Sequence, residues 1–126
     1  MKRPLLHPIL RWVPITVWGG IILWLSLIPS PPVLKSELLG WDKFQHAVAY
    51  CLLTLLGVSS LDGLPAIRHR LLWASAGAML FGAVVEAVQG VFTTTRTAEI
   101  GDLLADAAGA AVACVVRVAV RRRFKS

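Results

Sequence analysis

Polar stretches long enough to fold into a soluble domain are what this sequence lacks. The segments between its apolar runs are short, at residues 29–43, 62–70 and 93–99. Nothing of domain size fits there, so any chemistry has to sit inside the apolar runs or at their mouths. Cysteine is scarce too. Cys51 and Cys114 both fall within apolar runs, with no CxxC or Cys/His spacing, and read as small core hydrophobes rather than disulfide or metal partners. No tight ligand motif such as HExxH is present, and no metal or cofactor is predicted. The net charge of +6 comes without a basic stripe interleaved with exposed aromatics, so nucleic acid is not an expected partner. No small-x-small cleavage site follows the first apolar run, which carries Trp12, Trp18 and Trp24 and ends in Pro29-Ser30-Pro31-Pro32. A signal-anchor helix is the expectation, not a cleaved signal peptide. Internal repeats and low-complexity tracts are missing as well.

What is abundant is apolar helix. Hydrophobic residues make up 56% of the 126 residues, above the roughly 45–50% of a soluble domain. A soluble chain of this size could not hide so much apolar surface. Four spans are predicted, at about residues 12–28, 44–61, 71–92 and 100–120. Each approaches the ~20 residues that cross a ~30 Å hydrocarbon core, the first being the shortest. Pro14 is tolerable in the first turn of its helix. The expected fold is all-α: a single-domain, four-helix transmembrane bundle over residues 1–126.

Charge sets the expected orientation. Of the 13 Lys and Arg, only Lys35, Lys43 and Arg96 lie on one side of the spans. The N-terminal tail, the 62–70 connection and the C-terminal end hold the rest, which predicts both termini in the cytoplasm with acidic lipid as their partner. The acids divide the other way. Of seven, only Asp62 falls on the cytoplasmic side; Glu37, Asp42, Glu86, Glu99, Asp102 and Asp106 map to the outer face or the outer part of a span, and so does His46.

Spacing groups these residues further. Asp42, His46, Tyr50 and Thr54 recur every four residues and share one helical face. Asp42 is thereby expected to hold the His46 imidazole in one tautomer. Glu86 and Gln89 share a face near the outer end of the third span, with Glu86 about 9 Å from that end at helical rise. A carboxylate at that depth costs up to ~2.5–3.5 kcal/mol unless a partner or a wet cavity receives it. Arg96, Lys43 and protonated His46 are the candidate partners. Glu99 and Asp102 gain from the start of the fourth helix, whereas Asp106 lies a turn deeper. Beside them Gly101, Ala105, Gly109 and Ala113 form a small-residue stripe that lets the second or third span approach closely. The expectation is one outer-leaflet pocket built from Asp42, Lys43, His46, Tyr50, Glu86, Gln89, Arg96, Asp102 and Asp106. The uncharged, Trp-rich first span is its lipid-facing wall.

These residues, in this order, resemble the VanZ-like membrane protein family. The resemblance rests on Asp42-Lys43-x-x-His46-x-x-x-Tyr50, then Glu86-x-x-Gln89, then Arg96 with Asp102 six residues on and Gly109 beyond. It covers about residues 40–113. Two departures stand out: Asp106 occupies a position where the family usually has asparagine, and Phe92-Thr93-Thr94-Thr95 precedes Arg96 where the family tends towards proline. The resemblance implies a multi-pass protein of the bacterial plasma membrane. The family takes its name from a protein linked to low-level resistance to the glycopeptide teicoplanin.

Three classes of function fit this pattern. One is a non-enzymatic factor whose pocket binds a lipid-linked cell-wall precursor or a lipoglycopeptide, Lys43 and Arg96 meeting phosphate or carboxylate. A second is an integral-membrane enzyme in which His46, oriented by Asp42, is the acid or base, with Glu86 and Asp102 completing a metal site or a second acid/base group. A third is a small proton-coupled exporter, against which stands the gathering of acids at one mouth instead of the bilayer midplane. A homo-oligomer fits all three. A purely structural polar cluster, joining helices and binding nothing, is the remaining alternative.

Overall fold

The computed structural model describes residues 7–27, 41–62, 64, 66–92 and 100–125. A four-residue turn, α1 (His7–Leu10), leads into α2 (Val13–Leu27), and three longer helices follow: α3 (Trp41–Leu61), α4 (Arg70–Phe92) and α5 (Ile100–Lys125). Among the described residues there is no strand. The chain is an all-α bundle, and α3, α4 and α5 are each long and apolar enough to cross a membrane. Less than a third of α4 and of α5 is buried inside the bundle. Leu72, Leu80, Leu104 and Val115 all point outward. In water such a surface would drive aggregation; in lipid it is the outer surface a multi-pass protein requires.

Helix directions follow from contacts at the two ends of the bundle. Lys43 pairs with Asp102 at the start of α3 and α5, and Asp62 pairs with Arg117 at the other end. The two helices therefore run parallel, and between these ends their backbones nearly touch at Gly109. A β-carbon there would collide with the Ala47 carbonyl and lie 2.9 Å from the Cys51 nitrogen. Ala105 and Ala113 are buried on the same stripe. The small-residue stripe of α5 is thus seated on α3. α4 returns against both helices, and α2 lies on α3 and α4.

Helix boundaries differ from the predicted spans in two places. α3 begins at Trp41, so Lys43 sits on a helix and not before one. α5 continues past Val120 to Lys125, carrying exposed Arg121, Arg122 and Arg123, whose charges complement the carbonyl end of the helix dipole.

α2 departs from its expected role. At 15 residues it is about 22 Å long, yet it is tied to the bundle from end to end. The Ser60 hydroxyl donates to the Arg11 carbonyl at 2.8 Å, Trp18 Nε1 donates to the Ala49 carbonyl at 2.9 Å, and Gln89 Nε2 donates to the Ser26 carbonyl at 2.8 Å. Trp24 faces outward, but Ile22 joins Tyr50, Leu53 and Ala78 in the core. The expected lipid-facing wall therefore keeps an outward face but is also docked, with Ile22 in the core and Ile15 and Trp18 packed against it. The physical reason is the indole N–H of Trp18, which in an apolar surrounding has to find an acceptor.

Candidate functional site

Asp106 is the innermost member of a polar cluster between α3, α4 and α5. It lies one turn below Asp102 on the same face of α5, and α3 presents Lys43, His46 and Tyr50 along the facing side. His46 Nδ1 donates to Asp106 Oδ1 at 3.1 Å, which fixes both the ring plane and the position of one ring proton. Its Nε2 lies 3.8 Å from Asp102 Oδ2, beyond hydrogen-bond reach. Lys43 Nζ donates to Asp102 Oδ1. A lysine–carboxylate pair and a histidine–carboxylate pair thus stack one turn apart along the α3–α5 seam.

α4 closes the third side. Gly82 leaves room where a β-carbon would sit 2.7 Å from Asp106 Oδ2 and 3.2 Å from the Tyr50 ring. One turn on, Glu86 is buried, and its carboxylate and that of Asp106 both act electrostatically on the Tyr50 hydroxyl. Gln89, a further turn along, is buried and reaches α2 through Ser26. Thr54 is buried too, its hydroxyl donating to the Tyr50 carbonyl within α3 at 2.8 Å.

Of the predicted set, Lys43, His46, Tyr50, Glu86, Asp102 and Asp106 do meet at one end of the bundle. Gln89 borders them. Asp42 contributes backbone to α3, while its side chain and the whole of Arg96 lie outside the described residues, as do Glu37 and Glu99. Three relationships were not expected from sequence. His46 is held by Asp106, on another helix, as well as lying one turn from Asp42. Lys43 engages Asp102. Gly82 makes room for the carboxylate. The first was foreshadowed by the four-residue step from Asp102 to Asp106; for Gly82 no sequence signal separates it from the other helical glycines.

The expected open pocket is largely filled by its own side chains. Asp106 is 1% exposed, whereas Lys43 retains 34% and His46 18% of their side-chain surface. Access to the cluster is therefore from the Lys43 and His46 edge. None of these residues lines the large cavity of the bundle, which lies between α2, α3 and α4 towards Asp62. Among the described side chains Asp102 and Asp106 face Lys43 and His46, and Glu86 is buried on α4 one turn from Gly82, so carboxylates outnumber basic groups. No three His, Cys, Asp or Glu side chains among the described residues are placed to hold a metal ion. The arrangement offers a ring nitrogen positioned by a carboxylate, a lysine and several acceptors, at one end of the α3–α5 seam.

At the opposite end Asp62 is bracketed by Arg117 and by Arg70 Nη1 at 3.4 Å. This ion group ties α3, α4 and α5 together. In comparisons with known proteins, no family model, curated protein or solved structure matches this chain.

Proposed function

We propose that the chain is a VanZ-like protein of the bacterial plasma membrane, with both termini in the cytoplasm. Its Lys43/His46 edge opens towards the envelope and binds the polar head of an amphipathic ligand, either a lipid-linked cell-wall precursor or a glycopeptide of the teicoplanin type. The observation that carries this reading is the paired arrangement of Lys43 with Asp102 and His46 with Asp106. Lys43 and His46 keep exposed side-chain surface while their carboxylate partners are nearly buried, so a ligand head can reach the basic members of both pairs. The surplus of carboxylates favours a head bearing ammonium or hydroxyl donors over a bare pyrophosphate. Binding of this kind would contribute to glycopeptide resistance.

The test is an alanine series over Asp42, His46, Glu86, Gln89, Arg96, Asp102 and Asp106, scoring membrane abundance and lipoglycopeptide susceptibility together. Variants that stay abundant but lose protection support the site. Full protection by every abundant variant sinks it. Titration of the purified protein with teicoplanin is the direct form of the same experiment, with His46→Gln expected to weaken binding.

The His46–Asp106 pair also favours a second reading, a membrane enzyme with His46 as acid or base. Turnover of lipid-phosphate substrates, assayed with and without added divalent metal and lost in His46→Gln, would move the conclusion to that class.

A further inference from the structure

Towards the Asp62 end of the bundle, α2, α3 and α4 leave a groove of about 1000 Å³ between them. That is the upper end of the ~300–1,000 Å³ typical of small-molecule sites. Glycines make it. A β-carbon on Gly20 of α2 or Gly77 of α4 would meet nothing within 4 Å, whereas at the base one added to Gly57 would lie 3.2 Å from the Ala74 β-carbon, so the floor is closed there. The walls are apolar, formed by Trp12, Leu23, Trp73 and Phe81. Between Trp73 and Phe81 the groove follows α4 for about 12 Å at helical rise.

The mouth differs in character. Arg68 and His69, both exposed, sit where the α3–α4 connection meets the groove. His69 holds a left-handed φ of 54°, uncommon outside glycine, in the tight turn that leads into α4. Among the described residues no carboxylate lines the groove. Asp62, at the same end, is engaged by Arg70 and Arg117, so it does not neutralise Arg68. The Arg11 guanidinium also lies at this end, donating to the Ser59 carbonyl at 3.5 Å.

We propose that this groove binds an anionic diacyl phospholipid, its chains along the Gly20–Gly77 gap and its phosphate at Arg68 and His69. An apolar trough recessed between three helices, with a basic rim and no acid of its own, complements that ligand at both ends. The Lys/Arg asymmetry puts this rim at the cytoplasmic leaflet, where anionic lipid concentrates. The site shares no residue with the polar cluster, although Phe81 packs on Tyr50 with ring centroids 6.4 Å apart. Loss of one reading therefore leaves the other standing.

Native mass spectrometry of the full chain in mild detergent tests this, with phosphatidylglycerol and phosphatidylcholine of identical chains as probes. One phosphatidylglycerol per chain is expected to be retained, with about fivefold preference over phosphatidylcholine, the discrimination of roughly one basic side chain near a membrane surface. Gly77→Phe fills the trough and should abolish retention of both lipids. Arg68→Gln combined with His69→Asn alters exposed side chains, and asparagine tolerates the left-handed φ at 69, so the pair keeps the fold and should erase the preference alone. Glycerol phosphate, which carries the anion without chains, should not compete. Equal retention of the two lipids by the unmodified chain, a preference untouched by the double variant, or displacement by glycerol phosphate would each overturn the proposal.

Discussion

Gly82 on α4 and Asp106 on α5 lie so close that a β-carbon on the glycine would be 2.7 Å from Asp106 Oδ2. The carboxylate is thus held from two sides, by this missing side chain and by His46 at 3.1 Å. The Tyr50 ring, 3.2 Å from the same point, blocks sideways escape.

Gly82→Ala should therefore destabilise the bundle by about 1–3 kcal/mol, as overpacking of a filled interior does. A thermal melt in detergent reads this directly. The same substitution made in an Asp106→Ala background should cost at least ~1 kcal/mol less, because contacting residues couple. Equal costs in both backgrounds would show that the carboxylate is not what Gly82 accommodates.

Asp106→Asn separates hydrogen bonding from charge. The amide carbonyl still accepts from His46 Nδ1, and the side-chain volume is kept, so membrane abundance should stay near that of the unmodified chain. Asp106→Ala removes the acceptor of the half-buried His46 Nδ1 and leaves a cavity at a fully buried position, and should cost roughly 1–3 kcal/mol. Quantitative blotting of membrane fractions, with melting of the purified variants, checks the order: Asn close to Asp, Ala well below.

Gly109 is a stricter requirement than Gly82, because the atoms a β-carbon would meet belong to the α3 backbone at Ala47 and Cys51. A side-chain tip can swing away; a helix backbone cannot. Gly109→Ala should thus lower folded protein more than Gly82→Ala does. Gly20→Ala, with nothing within 4 Å, should be neutral or gain up to ~1 kcal/mol from helix propensity. If Gly109→Ala melts like Gly20→Ala, α3 and α5 are not packed through this glycine.

How much of this was legible beforehand differs by level. Long apolar runs set by bilayer thickness gave the helices and the fold class, and the four-residue steps on α3 and α5 gave the polar faces. The close approach of α5 was readable from Gly101, Ala105, Gly109 and Ala113. Its partner was not, since the second and third spans both carry small residues. The docking of α2 is not legible in the sequence, because the absence of charge does not distinguish a lipid-exposed helix from one held by backbone acceptors. Trp18 and Ser26 show that a backbone carbonyl or an indole N–H is polarity enough to dock a helix. Pairing across helices was least accessible. The step from Asp42 to His46 is visible within one helix, whereas Asp106 reaches His46 only because α3 and α5 lie parallel.

α2 bears on topology as well. It is shorter than the ~30 Å core, yet its ties at Arg11 and Ser26 link it to opposite ends of the bundle. Both termini should then lie on the same side of the membrane. Single cysteines placed near Arg11 and at Ser126, in a Cys51→Ala/Cys114→Ala background, should be shielded together from an impermeant maleimide in intact cells. Opposite labelling would mean that α2 does not cross.

Asp62 offers a test of helix registration at the other end. Its partners Arg117 and Arg70 are about a quarter to a third exposed, as is Asp62 itself, so solvent screening limits each pair to roughly 0–1 kcal/mol. Asp62→Ala should consequently have a small effect, whereas Asp62→Arg, which sets a cation against two others, should be clearly worse. Adding Arg117→Asp to Asp62→Arg leaves the number of basic residues unchanged and restores the α3–α5 pair. Recovery should still be partial, because Arg70 then faces a cation in place of its carboxylate. A third change, Arg70→Gln, removes that repulsion and should bring the melting temperature closer to the starting value. Were the swap to recover nothing even with Arg70→Gln, the parallel registration of α3 against α5 would be wrong at this end, and with it the alignment that brings His46 to Asp106.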